Sequence, residues 1–158
     1  MKNLFPKTLV FLLLALLSLA LLTTAIGEDA PPADQIASDP SNSYVQWTNT
    51  ERSTGLAITY IDIGITPGTG SLFVSATTEA NMTADIVGGY VRIQQWKDSK
   101  WTTVKTIGFD RYGTTSSSLN RSVNVTGGYY YRVLGVHDAV LDMDSVSKST
   151  STGSVYVN

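Results

Sequence analysis

The sequence predicts an all-β chain, a single antiparallel β-sandwich of about seven strands. Three observations carry this. From Thr54 onward apolar and polar residues alternate at period two, the spacing that gives a strand one buried face. Turn-forming residues recur between those runs at intervals of about 8 to 12 residues. No helix of useful length, with apolar residues spaced at about 3.6, follows the N-terminal segment. The length of 158 residues allows one domain besides whatever is removed or unstructured.

The N-terminus is set apart by its pattern. Lys2 and Lys7 give a positive start, Thr8 to Leu22 is almost wholly apolar, and Thr23-Thr24-Ala25-Ile26-Gly27 supplies small residues. That order reads as a cleaved secretory signal peptide over residues 1–25, and cleavage after Gly27 fits as well. A retained anchor is the alternative. The apolar run is short of the ~18 residues a span needs, so no stable membrane span is expected after cleavage. The chain has no cysteine, which excludes a lipid anchor at the junction, thiol catalysis and zinc–thiolate sites. A secreted chain without disulfides fits an exporter that does not rely on them, such as a Gram-positive bacterium. The expected localisation is secreted or extracellular.

Residues 26–50 contain Pro31-Pro32, Pro40 and four acids and have no apolar periodicity. They read as a disordered leader, with a propeptide as the alternative. Only Tyr44-Val45-Gln46-Trp47 is suited to dock on the domain, which is expected over residues 51–158. Without Lys2 and Lys7 the chain carries 9 basic and 13 acidic residues, and from Glu51 onward 9 of each. A nucleic-acid partner is therefore not expected, because it would require a basic excess to displace phosphate counterions.

The elements follow in order. Leu56, Ile58 and Tyr60 share one face and Ile61, Ile63 and Ile65 the next. A one-residue slip turns every side chain over, so a bulge or strand switch is expected between Tyr60 and Ile61. Thr66 to Gly70 is a turn. Ser71 to Ala80 is the second strand, with Leu72, Val74 and Ala76 inward, and Asn81 to Asp85 is a polar connection. Ile86 to Lys97 is the third strand, with Val91 and Ile93 on one face and Tyr90, Arg92, Gln94 and Trp96 on the other. Gly88-Gly89 within it marks a bulge or a close backbone approach. Asp98-Ser99-Lys100 turns into the strand Trp101 to Ile107. Gly108 to Ser116 is a polar loop, and Ser117 to Val125 is a strand with Leu119, Val123 and Val125 aligned. Thr126-Gly127-Gly128 is the corner into Tyr129 to His137, the densest aromatic and β-branched run and the expected central strand. A loop over Asp138 to Asp144 leads to a last strand within Ser145 to Asn158.

Leu119 to His137 (LNRSVNVTGGYYYRVLGVH) resembles the strand, corner and following strand of immunoglobulin-like and fibronectin type III domains. The resemblance implies an Ig-like sandwich in which Tyr129 or Tyr131 bonds back to the backbone before the corner. The chain departs from that pattern in having no cysteine pair and no core tryptophan in the second strand. Gln94-Gln95-Trp96, Trp101 and Gly128 to His137 also resemble small secreted all-β proteins of Firmicutes. That likeness, over about residues 52–158, carries no activity to transfer.

Chemistry-bearing sets are sparse. His137 is the single histidine, read as a strand-end side chain beside a solvated loop rather than half of an acid–base pair. No Gly-x-Ser-x-Gly elbow is present to make it part of a triad. Asp138, Asp142 and Asp144 lack the Asp-x-Asp-x-Asp-Gly spacing of a calcium loop. Glu51 and Glu79 are the only glutamates from residue 51 onward, and neither is marked as a glycosidase acid. The expectation is a non-catalytic protein without cofactor or metal. One feature points to binding: Tyr90, Arg92 and Trp96 on one strand and Tyr130 and Arg132 on another are expected to share an open sheet face. Rings and guanidinium groups there suit a cell-wall carbohydrate or a surface protein. The opposite parity, with Tyr129, Tyr131 and Val133 exposed, is the competing register. The functional reading is an extracellular or surface-associated binding or structural module. The alternatives are a secreted antagonist of membranes or envelopes and, less favoured, a hydrolase with an unrecognised site.

Overall fold

The computed structural model describes residues 30–31, 44–47 and 54–158, the side chains of 44–47 excepted. The segment expected to be a signal peptide and most of the expected leader lie outside the described residues. Eight strands follow one another: β1 (Tyr44–Trp47), β2 (Ile58–Gly68), β3 (Ser71–Lys97), β4 (Lys100–Gly108), β5 (Arg111–Asn124), β6 (Tyr129–Leu141), β7 (Asp144–Ser151) and β8 (Val155–Val157). All pair antiparallel in one connected sheet, and the described residues contain no helix. The all-β antiparallel expectation holds.

The sheet is built on β3, which runs for 27 residues. Its first half pairs with β2 and with β5, Ser71 to Ala80 lying opposite Gly68 to Ile58 and Ser71 to Glu79 opposite Asn124 to Ser116. Its second half pairs with β6 through Ile86 to Gln95 and with β4 through Tyr90 to Lys97. The expected connection at Asn81–Asp85 is therefore part of one strand. It survives only as a register shift against β5 between Glu79 and Ala84. Its polar residues stay outward and bonded: the Asn81 amide group accepts from the Ala57 N–H at 2.8 Å and donates to the Gly55 carbonyl at 3.0 Å. Meanwhile Ala84 is buried, so the inward face is not interrupted.

Two other expected loops are also shorter than the composition implied. β5 starts at Arg111, and β6 continues to Leu141 with Ala139 buried. The hairpin tips have the backbone that short loops need. Asp98 and Ser99 both have positive φ (52° and 57°), as a two-residue loop of the I′ type requires, and Asp142 has φ 53° in the β6–β7 turn. The expected phase flip in the first strand is real. It falls one or two residues earlier than read, between Ile58 and Tyr60, and leaves Tyr60 half exposed.

Gly88-Gly89 marks a close approach. With φ of 155° and 132°, these residues let the backbone of β3 touch its neighbours. A Cβ on Gly88 would meet the Asp110 backbone, and one on Gly89 would overlap the Val136 carbonyl. The Gly89 N–H is held by the Asp110 carboxylate at 2.7 Å. The main apolar cluster collects Ile63 and Ile65 of β2, Leu72, Val74, Val91 and Ile93 of β3, Val123 of β5, Tyr131 and Val133 of β6, and Val155 and Val157 of β8. A second cluster holds Leu56, Ile58, Ala80, Ala84, Val87, Ala139 and Val146. The β1 segment, the part of the leader suited to docking, lies along β7, with Tyr44 opposite Ser151 and Trp47 opposite Lys148.

Candidate functional site

Two places bring polar or aromatic chemistry together, one inside and one outside. The inner one surrounds His137, which the sequence reading placed at a strand end beside a solvated loop. It lies instead in the middle of β6, fully buried. Strand alternation explains this. Along β6 the inward positions run Tyr131, Val133, Gly135, His137, Ala139; along β3 Thr78 falls between Ala76 and Ala80. Thr78, His137, Lys148 and Thr150, all buried, form a polar belt between the two apolar clusters.

The bonds of that belt fix the imidazole tautomer. Thr78 Oγ1 lies 2.8 Å from His137 Nδ1 and donates its own proton to the Gly88 carbonyl at 2.8 Å. It therefore accepts from Nδ1–H. Nε2, 2.9 Å from Thr150 Oγ1, is left as the acceptor of the Thr150 hydroxyl. Burial pushes the His137 pKa down to about 4, and the nearby Lys148 charge pushes the same way. Lys148 itself donates to the Ile58 carbonyl at 2.5 Å. Phe109 packs edge-on to the imidazole at 6.0 Å. A neutral ring with both nitrogens occupied by threonines, shut away from solvent, is a structural group. Gly135 makes room for it, since a Cβ there would lie 2.5 Å from Thr150 Oγ1 and 2.9 Å from His137 Nε2.

The outer place is the face opposite the core on β3, β4, β6 and β8. Gln94 lies opposite Arg132, Trp96 opposite Trp101, and Tyr130 opposite Tyr156. Tyr90, Arg92, Trp96, Tyr130 and Arg132 thus lie on one side, in the parity expected. Tyr131 takes the inward position at 1 % exposure. Its hydroxyl donates to the Thr126 carbonyl at 2.7 Å and accepts from Gln95 Nε2 at 2.9 Å.

Trp96 differs from the open ring expected: it is only 8 % exposed. It belongs to neither apolar cluster. Trp101 meets it edge-on at 5.2 Å, so the tight hairpin folds one tryptophan over the other. Arg132 in turn lies 4.5 Å from the Trp101 ring centre and donates from Nε to Gln94 Oε1 at 2.9 Å. Gln94 donates onward to Thr103 Oγ1 at 3.3 Å. Arg92 is braced in the same way, 4.9 Å from the Tyr90 ring centre with Nη2 donating to the Tyr90 hydroxyl at 3.0 Å. Tyr130 and Tyr156 pack edge-on at 5.1 Å.

Beside Arg92 the same face holds a shallow groove of about 290 Å³ between β3, β6 and β7, lined by Tyr90, Arg92, Leu134, Val136, Ser149 and Ser151 among others. Sequence reasoning missed Trp101 and Tyr156 as members of this face, and it placed Gln94 there without giving it a role. The two-residue hairpin loop was the available signal for Trp101, because it puts Trp101 directly across from Trp96. Nothing in the sequence announced that three residues of β8 would pair beside Tyr130.

Among the described residues, acidic side chains bind backbone N–H groups. The Asp144 carboxylate accepts from the Thr54 N–H at 2.7 Å, and the Asp85 carboxylate from the Asp142 N–H at 2.8 Å. Among the described residues, no three His, Cys, Asp or Glu side chains are grouped so as to hold a metal ion. No helix among them is long and apolar enough to cross a membrane. No protein-family model, curated protein or solved structure matches the chain.

Proposed function

We propose that this chain is an exported, non-catalytic Ig-like β-sandwich module, secreted or held at the cell surface, that binds an extracellular ligand through the outer face of β4, β3, β6 and β8. The observation that carries the reading is the grouping of Trp96, Trp101, Arg132, Tyr130 and Tyr156 on that face, with Tyr90 and Arg92 beside them. Rings and guanidinium planes held in place by each other can stack on a ligand with little further ordering cost.

Three features support the Ig-like arrangement. β2, the first half of β3 and β5 would form one layer, and β4, the second half of β3, β6, β7 and β8 the other. Inward side chains from both groups join one cluster. The bond from the Tyr131 hydroxyl to Thr126, five residues upstream, matches the tyrosine corner of such domains. One long β3 in place of two separate strands is the departure.

The test is retention of the processed chain on washed cell walls and insoluble polysaccharides, with a Trp101→Ala/Tyr130→Ala variant checked for folding by circular dichroism. Trp101 is the probe rather than Trp96 because Trp96 is covered. Retention by wild type and its loss in the variant is the expected result. Equal retention of both would reject the face. Leakage of liposomes at low protein concentration would favour the antagonist reading instead.

A further inference from the structure

We infer that the ligand of this face is an anionic saccharide, a sugar polymer carrying carboxylate or phosphate groups, with Arg92 and Arg132 as its charge-binding side chains. The inference rests on the face-binding reading above and specifies its chemistry. Each arginine is braced by an aromatic plane and by one side-chain hydrogen bond, Arg92 on Tyr90 and Arg132 on Trp101 and Gln94. Neither meets a carboxylate among the described residues. Braced guanidinium groups with donors left over are the pre-organised forks that bind planar or tetrahedral oxyanions.

The backbone positions of the two arginines are near neighbours. Arg92 is opposite Leu134 and Gln94 is opposite Arg132, so the arginines occupy diagonal positions, about 7 to 8 Å apart at the backbone. Both belong to the positive minority of a chain with net charge −2. In the second half of β3 and in β6, the charged residues are Arg92, Lys97 at the hairpin tip, Arg132 and, at the far end, Asp138. A polyanion held by this protein is therefore held locally, against the overall charge.

The rest of the face suits a sugar better than a peptide. The groove is shallow, at about 290 Å³, near the lower limit for small-molecule sites. Its lining mixes hydroxyl, guanidinium and apolar side chains, unlike the apolar pockets that seat a protein hot-spot side chain. Its far wall presents the hydroxyl-bearing Ser149 and Ser151, while Tyr90, Leu134 and Val136 give an apolar floor. Hydroxyl-lined walls, an aromatic surface and a guanidinium fork match the three faces of an acidic pyranose: its hydroxyls, its C–H face and its anionic group.

The experiment is calorimetric titration of the processed chain with oligogalacturonate, with the same oligomer as its methyl ester, and with a phosphodiester-linked sugar polymer. Methyl esterification keeps the sugar ring and removes the charge. Esterification is expected to weaken binding at least tenfold. Arg92→Gln and Arg132→Gln are each expected to weaken binding of the charged oligomers by at least tenfold, and Arg132→Lys by less, since it keeps charge but loses the planar fork. Lys97→Gln/Lys100→Gln, at the tip of the β3–β4 hairpin, is expected to leave affinity unchanged. Arg92 is exposed, so its variant decides the matter should the Arg132 variant fail to fold. A preference for carboxylate or for phosphate identifies which anionic sugar is held.

Equal affinity for acid and ester, lost in Trp101→Ala/Tyr130→Ala, would overturn the anionic assignment and leave the face-binding reading standing. Equal sensitivity to the hairpin lysines would overturn it as non-specific attraction. Binding to anionic vesicles and to no oligosaccharide would overturn it in favour of a membrane surface. No binding to any saccharide, charged or neutral, would overturn both the assignment and the carbohydrate-binding reading.

Discussion

Lowering the pH from 7 to 5 should cost the fold about 2 kcal/mol through His137 alone. In the folded chain burial holds the imidazole pKa near 4, and its ordinary value is 6.5. The unfolded chain therefore takes up a proton as the pH falls through 6.5, while the folded chain stays neutral until about 4. Stability from this group is fully present above about pH 7 and is lost progressively between 6.5 and 4. Over the whole range the loss is roughly 3 kcal/mol. The part between pH 7 and 5 is the cleaner test, because most carboxylates remain ionised there. Lys148, buried on the facing strand β7, raises the cost of a second positive charge in the belt. The assay is urea denaturation at pH 7, 6 and 5, followed by tryptophan fluorescence, on wild type and His137→Gln. The wild type should lose about 2 kcal/mol across this range and the variant, less stable at pH 7, should lose much less. A wild-type stability flat from pH 7 to 5, or a variant with the same slope, would refute the buried neutral imidazole.

Other predictions follow from single contacts. Gly89→Ala forces a Cβ onto the Val136 carbonyl at φ 132° and should destabilise by about 3 kcal/mol or more. Gly113→Ala, at φ 60° with open space around it, should cost only about 1 to 2 kcal/mol; comparable thermal shifts in the two would contradict the close approach. Tyr131→Phe removes a hydroxyl that serves both Thr126 and Gln95, so an unfolding free energy lowered by about 1 to 3 kcal/mol in urea denaturation is expected. Thr150→Val leaves His137 Nε2 without its donor and should cost about 1 to 3 kcal/mol. The histidine ¹⁵N shifts of the native protein should show the Nδ1–H tautomer, and an Nε2–H pattern would invalidate the bonding scheme.

The sequence by itself determined the class and the parity of most strands. Period-two alternation needs no tertiary information, because a strand can bury only every second side chain. That was enough to put Val91 and Ile93 inward and to offer Tyr90, Arg92, Tyr130 and Arg132 as one outward face, but it left the parity of Tyr129 to His137 open until the burial of Tyr131 and Val133 decided it. It also marked Gly88-Gly89 as a bulge or a close approach, of which the fold shows the close approach. What it could not decide was where a polar residue means a loop and where it means the outward face of a continuing strand. Asn81, Asp85 and Asp138 were read as connections, yet β3 and β6 run straight through them, because their backbones find partners on neighbouring strands that only the tertiary fold supplies.

The fate of particular side chains depended on those neighbours too. His137 has a polar residue next to it in sequence and so read as a strand end. Its burial depends on Thr78 and Thr150, 59 and 13 residues away, arriving with the hydroxyls its nitrogens require. Trp96 was read as open, and the fold covers it with Trp101. Alternation assigns a side chain to one face of the sheet. What then packs over that face, whether hydroxyls around an imidazole or one ring over another, is decided by strands far apart in the chain.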